Sequence, residues 1–202
     1  MNAKRIIELG GFVAGIVLIV FGAIAIYMGV DGRTTVRDSI KQEQIVFGNA
    51  EQDEAVARYA SQWSEEQVLT GEQARAFAQV IREHALGSSD GLTYAQMGRF
   101  LAADDPDNPK GTSDEAAALK DDAGKPVPNA ARNTWVTANA LSTALNMSYM
   151  AEQLSLFGIV VGVALLLAGI GFIVLAWFAL GATAALRKPA AAGNPMAPVT
   201  GH

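Results

Sequence analysis

The 202-residue chain has no cysteine. Disulfides, thiolate zinc sites and thiol nucleophiles are therefore excluded, although the lack of cysteine does not decide the compartment. Histidine is almost as scarce: His84 stands alone inside the chain, and His202 is the last residue. A histidine-based metal triad cannot be built from one internal histidine. No Ser/His/Asp set, phosphate loop, dinucleotide fingerprint or evident carboxylate pair is present, so the sequence predicts no enzyme and no cofactor. Charge is also low, at 17% of residues where about 25% is usual for soluble proteins.

The shortage of charge is local. Leu154 to Leu186 is a run of 33 residues without one charge, and Leu9 to Val30 is another of 22. About 20 apolar helical residues cross the roughly 30 Å hydrocarbon core of a bilayer. Both runs read as membrane spans. The expected organisation is a cytoplasmic N-terminus (1–8), a first span (9–30), a helical domain outside the cytoplasm (31–153), a second span (154–186) and a disordered cytoplasmic tail (187–202). The fold class is thus an all-α membrane protein. It is a two-span transmembrane hairpin whose long helices extend into a small helical extracytoplasmic domain.

Orientation follows from the flanks. Lys4 and Arg5 precede the first run, and Arg187 and Lys188 follow the second. The positive-inside rule then puts both termini in the cytoplasm of a plasma-membrane protein. Arg33, Arg37 and Lys41 lie near the first span on the other side, but long loops are translocated with little regard to charge. Tyr27 and Tyr149 fall at the outer interface and Trp177 at the inner one. Lys4-Arg5, the apolar run and Ala23-Ile24-Ala25 also fit a cleavable signal peptide; the continuation of the run to Val30 favours an uncleaved span. The stretch 31–153 holds eleven basic and nineteen acidic residues, a net of −8. Such a balance argues against nucleic acid and anionic lipid as partners. The bilayer itself, and a protein partner or a homo-oligomer, remain.

Small residues recur every seven positions in both runs: Gly15, Gly22 and Gly29 in the first, and Ser155, Gly162, Gly169 and Ala176 in the second. Each set falls on one helical face, and small faces let backbones approach closely in lipid. Laid antiparallel, Gly29 is expected at the Ser155–Gly162 level, Gly22 at Gly169 and Gly15 at Ala176. Gly11-x-x-x-Gly15 and Gly158-x-x-x-Gly162 would suit a homodimer instead. Glu8 lies on the small-residue face and can meet Arg187.

Between the spans, the first helix is expected to run on through Val36, Ile40 and Gln44 and stop at Gly48. Glu51 to Trp63 forms a second helix on the spacing of Ala55, Tyr59 and Trp63. Thr70 to Gln73 is a capping-box pattern, and the helix after it buries Ala74, Phe77, Ile81 and either His84 or Ala85. Thr93 to Gln96 repeats the pattern, with Tyr94, Met97 and Leu101 apolar. Residues 103–129 carry four prolines and clusters of Asp, and read as a surface loop with a short helix from Asp114 to Lys120. No proline or glycine interrupts 130–157, so a helix starting near Asn129 runs into the second span.

Two further patterns bear on chemistry. Asp104, Asp105, Asp107 and Glu115 are calcium candidates, with Glu115 at position 12 of an EF-hand count from Asp104. Pro109 stands where that loop needs glycine and Pro106 at its third position, so a solvated acidic loop is expected. Asn146-Met-Ser148 fits the glycosylation rule but sits in a helix beside the membrane. Trp63 and Trp135 are expected to anchor the core of the central region.

At Gln44-Ile-Val-Phe47, Thr70-Gly-Glu-Gln-Ala-Arg-Ala-Phe-Ala78 with His84, and Leu92-Thr-Tyr-Ala-Gln96, the chain resembles a group of uncharacterised two-span membrane proteins of high-GC Gram-positive bacteria. The resemblance covers residues 1 to about 185, and its motifs are helix starts. It implies the same hairpin and no established activity. Some members carry an automatic label as aromatic ring-opening dioxygenases. That chemistry needs two histidines and a carboxylate on iron, and His84 has no second histidine beside it. Function is therefore expected in an accessory or interaction subunit of a membrane assembly, or in a ligand-sensing domain that signals through a partner.

Overall fold

The computed structural model describes residues 3–185. They form four α-helices: α1 (Ala3–Gln42), α2 (Glu54–Tyr59), α3 (Gly71–Gly87) and α4 (Ala130–Ala185). Single 3-10 turns occupy Ser61–Trp63 and Tyr94–Gln96. The described residues hold no strand, so the fold is all-helical. Helices α1 and α4 carry the two uncharged runs, and each is long and apolar enough to cross a membrane. The side chains of Lys4, Arg5 and Glu8, and all of Arg187, Lys188 and the tail, lie outside what is described, so the expectations placed on them go no further here.

The chain divides into two compact units: Met1–Tyr27 with Gly158–His202, and Met28–Phe157. In the first, the terminal unit, glycine meets glycine. A Cβ placed on Gly15 would lie 2.7 Å from the Gly169 carbonyl oxygen, and one on Gly22 would lie 2.7 Å from that of Gly162. The reverse contacts are equally short, 2.6 Å from Gly169 to Gly15 and 2.7 Å from Gly162 to Gly22. A Cβ on Gly11 would stand 3.7 Å from that of Ala176. These helices touch backbone to backbone, and only a hydrogen fits at the four crossing positions. The register differs from expectation by one seven-residue step, since Gly22 meets Gly162 instead of Gly169, and Gly15 meets Gly169 instead of Ala176. The expected register centred the two uncharged runs on each other. The second run is eleven residues longer, and its surplus lies at its C-terminal end. Large side chains point away from the contact: Val13, Phe21, Val163, Leu167 and Leu175 are 44–68% exposed.

The second, central unit folds around two small cores. In the larger, Ile40, Phe47, Val56, Val68, Ala74, Val80 and Leu145 are buried, with Trp63 and Phe77 packed on them. Phe47 stacks on Trp63 at 6.0 Å between ring centroids and meets Phe77 edge-on at 5.4 Å. In the smaller, Ala85, Met97, Trp135 and Ala138 are buried. Helix α3 starts as its sequence demands: the Gln73 N–H donates to the Thr70 hydroxyl, and the Gln73 side chain accepts from the Thr70 N–H. On α3 it is Ala85, not His84, that is buried.

Three local expectations need correction. Helix α1 stops at Gln42, short of Gln44, because Gln44 takes a left-handed conformation (φ 52°) and Ile45 to Phe47 turn extended. There Val46 bridges Gln67, with Phe47 N–H donating to Glu66 O and Val68 N–H to Ile45 O. β-Branched Ile45 and Val46 suit that extended geometry. The helix expected over 51–63 shrinks to six residues. Asn49 and Asp53 capture the N–H groups of Glu51, Ala55 and Val56, so the helix cannot begin earlier.

The stretch 103–129 has no helix at 114–120. It is instead a set of isolated bridges: Phe100 with Thr112 and Pro128, Ala102 with Ala118, and Lys120 with Pro126. Pro126, Pro128 and the Asp side chains that close short turns (Asp114 to Ala116 N–H, Asp121 to Ala123 N–H) rule out helix and favour extended crossings. Asn129, 1% exposed, holds this loop to α4. Its amide donates to the carbonyls of Gly98 and Pro109, and its oxygen accepts the Ala131 N–H at the start of the helix. The helix from 130 onward is unbroken, as expected.

Candidate functional site

Among the described residues the buried charged group of the central unit is Glu152, on α4, which is 6% exposed. Its Oε1 accepts from Arg33 Nε at 3.0 Å and Arg37 Nε at 2.7 Å, both on α1. Its Oε2 accepts from the Gly71 N–H, the first residue of α3. One carboxylate thus ties three helices. The first N–H groups of a helix have no partner within it and carry partial positive charge, so an anion fits there. Gly71 is required by close approach: a Cβ on it would lie 2.8 Å from Tyr149 Cα and 2.9 Å from Glu152 Oε2. Burial pushes the Glu152 carboxyl up. The Gly71 N–H and the two guanidinium groups outweigh that and hold it below the usual value of 4.5. Its contribution to stability is accordingly complete above the ordinary carboxylate range and is lost as pH falls through the lowered value.

No sequence motif marks Glu152, yet a signal is present. It lies three residues before Ser155, at one end of the small-residue face of the second run. Arg33 and Arg37 continue the face of Gly29 at four-residue steps, and Gly29 itself is buried. An acid and two bases placed just where the two apolar runs end are candidates for one another.

A second polar junction joins α2 and α3. Asp53 caps α2 by accepting from Ala55 and Val56 N–H, and its carboxylate stands 3.0 Å from His84 Nε2. Burial raises the Asp53 carboxyl, but the His84 contact and the backbone N–H groups overcome this and hold it below the ordinary 3.8. Asp53→Ala is expected to cost about 1 kcal/mol, the usual value of a lost N-cap. Chemical denaturation should show that difference at pH 7. The gap should close in acid, because the wild type loses the contribution of the carboxylate as pH falls through its lowered value. A gap of unchanged size at pH 3 would contradict the assignment.

Side by side, α3 and the first turns of α4 leave an open groove of about 750 Å³ lined by Ile81, His84, Ser88, Asn133, Thr137 and Leu141. His84 is exposed on its rim. A further face of α4 is bare: Val136, Met147 and Met150 are 50%, 60% and 63% exposed. At helical spacing these three lie within about 60° of arc.

The other residues that drew attention in the sequence are not gathered into a site. Among the described residues no three His, Asp or Glu side chains stand close enough to hold a metal ion. Of the calcium candidates, Asp105 accepts from the Asn108 amide within a turn, and Asp104, Asp107 and Glu115 are exposed. Asn146 lies within α4, its amide donating to the Ser142 carbonyl. Trp135 is buried beneath Arg82, and Trp63 stacks in the larger core. Comparison with protein-family models, with curated proteins and with solved structures finds no match for this chain.

Proposed function

We propose that the chain is an integral plasma-membrane protein that crosses the bilayer twice. Both termini are cytoplasmic and residues 31–153 form a helical extracytoplasmic module. The module serves as an accessory or interaction subunit of a membrane assembly. The membrane part of this reading is supported by the terminal unit being inside out relative to a soluble fold. In the most apolar stretches of α1 and α4 only 11% and 17% of residues are buried. Glycines fill the contact while Val, Leu and Phe face outward, the pattern of helices packed in lipid. The resemblance to two-span proteins points the same way, and membership of that group is part of the proposal.

The interaction part rests on the bare face of α4. Val136, Met147 and Met150 lie outside the uncharged run, so the acyl chains of a bilayer do not cover them. Methionine-rich surfaces adapt to partner proteins. Purification in mild detergent followed by mass spectrometry of intact complexes tests this. A stoichiometric protein partner or a second copy is expected, and Met147→Glu/Met150→Glu should release it while the fold persists. A chain that runs alone, with the double variant indistinguishable from wild type, would contradict the reading. The groove between α3 and α4 favours a second reading, an extracytoplasmic ligand-sensing domain that signals through a partner. A small molecule released on denaturation, in place of a protein partner, would favour it.

A further inference from the structure

We infer that Arg33 and Arg37 hold the phosphate of an anionic phospholipid headgroup, in the leaflet on the side of the central unit, with Glu152 as the positioning residue. This inference rests on the membrane reading above. Each guanidinium has five N–H donors in a rigid fork. Each gives only Nε to Glu152, and among the described residues neither Nη group of either arginine has a protein partner. The two side chains are 42% and 40% exposed, so their outer edges are open. Two guanidinium groups against one carboxylate leave a local charge of +1, which one phosphodiester would neutralise. Shared attachment to a single oxygen, Glu152 Oε1, holds the two forks side by side. Planar forks match phosphate oxygens in pairs, as an ammonium cannot.

Depth agrees with this chemistry. Arg33 and Arg37 lie three and seven residues beyond Val30, about 4.5 and about 10 Å along the helix. The headgroup zone outside the hydrocarbon is roughly 5–7 Å thick on each side. Helical side chains lean toward their own N-terminus, which in α1 is the direction of the apolar run, and long arginines reach further. Glu152 sits two residues before the second run. The nearest acids on α1, Asp31 and Asp38, are seven apart and share a face about 100° or more from either arginine. The net of −8 over residues 31–153 argued against anionic lipid, but that count averages 123 residues. Exposed charges beyond about 10 Å are screened at physiological salt, so the local balance decides.

The test uses the full chain in nanodiscs made from equal parts phosphatidylglycerol and phosphatidylcholine, with native mass spectrometry of the lipids retained on release. Wild type is expected to retain phosphatidylglycerol over phosphatidylcholine by about fivefold, given about 1 kcal/mol per net basic charge at the surface. The triple variant R33Q/R37Q/E152Q, which keeps a neutral hydrogen-bonded node, should fall to no preference. Unchanged fluorescence of Trp63 and Trp135 checks that it folds. Excess inorganic phosphate separates the sources of the chemistry: no effect supports a lipid headgroup, and full competition supports the same fork site taking soluble phosphate. Equal retention of the two lipids by embedded wild-type protein, or a preference that survives the triple substitution, would overturn the site alone. A chain that never enters the disc would overturn the membrane reading and the site with it.

Discussion

Glu152→Ala should destabilise the central unit by about 2–4 kcal/mol. The substitution removes three hydrogen bonds, two of them from guanidinium groups, and leaves the Gly71 N–H without its acceptor. Charged hydrogen bonds contribute about 1.5–3 kcal/mol each, and breaking a fully buried pair costs about 3–5 kcal/mol. The arginines are about two-fifths exposed and will be rehydrated, which keeps the loss below the sum of those figures. Glu152→Gln keeps an oxygen for one donor and should lose roughly half as much. Denaturation in detergent followed by tryptophan fluorescence reads this directly, since Trp63 and Trp135 both lie in the central unit. Replacing Trp177 by Phe removes the signal of the terminal unit. A cost under about 0.5 kcal/mol, the scale of ordinary surface changes, would show that the three-helix junction contributes nothing. The wild-type advantage should also shrink in acid, because the Glu152 carboxyl is held below its ordinary value.

Gly22→Leu is expected to separate the two helices of the terminal unit. A single methyl at Gly22 already falls 2.7 Å from the Gly162 carbonyl oxygen and 2.9 Å from the Leu166 backbone nitrogen. Backbone cannot step aside as a flexible side chain can, so the helices must part. In a bilayer, helices that part have no hydrophobic drive to bring them back. The chain has no native cysteine, so an introduced pair reports the contact without background. Gly11→Cys/Ala176→Cys places the Cβ atoms near 3.7 Å, within the roughly 3.5–4.5 Å range of disulfides. That pair should cross-link readily in the parent chain and at least tenfold less with Gly22→Leu. No cross-linking of the Gly11/Ala176 pair, or no effect of Gly22→Leu on its yield, would contradict the observed contact.

Much of this architecture is legible in the residues, and the reasons are physical. Two uncharged runs, the absence of proline and glycine over 130–157, and the Thr70 capping pattern each act through one segment of chain. A single segment can be read alone. The seven-residue recurrence identifies the faces that touch in the terminal unit, but not their sliding register. Register depends on which glycine carbonyls fit against which Cα positions, a property of two segments together.

The central unit shows the same division. The bridges of 99–128 join residues by backbone N–H and C=O groups that every residue carries, so composition suggests only a loop. Asn129 becomes the anchor of that loop through partners 20 and 31 residues away. Glu152 carries no motif of its own because its partners come from two other helices, α1 and α3. Its position at the margin of the apolar run was the available clue.

The central claim is that residues 31–153 are carried on one side of a membrane by two spans. Single cysteines in the otherwise cysteine-free chain test it most directly. One replaces Asp107, in the middle of the central unit, and one replaces Asn2. Intact cells are treated with a membrane-impermeant maleimide before and after permeabilisation. Cysteine at 107 should react in intact cells, and cysteine at 2 only after permeabilisation. Reaction at 2 but not at 107 would invert the topology, and recovery of the chain in the aqueous fraction would remove the membrane from the account altogether.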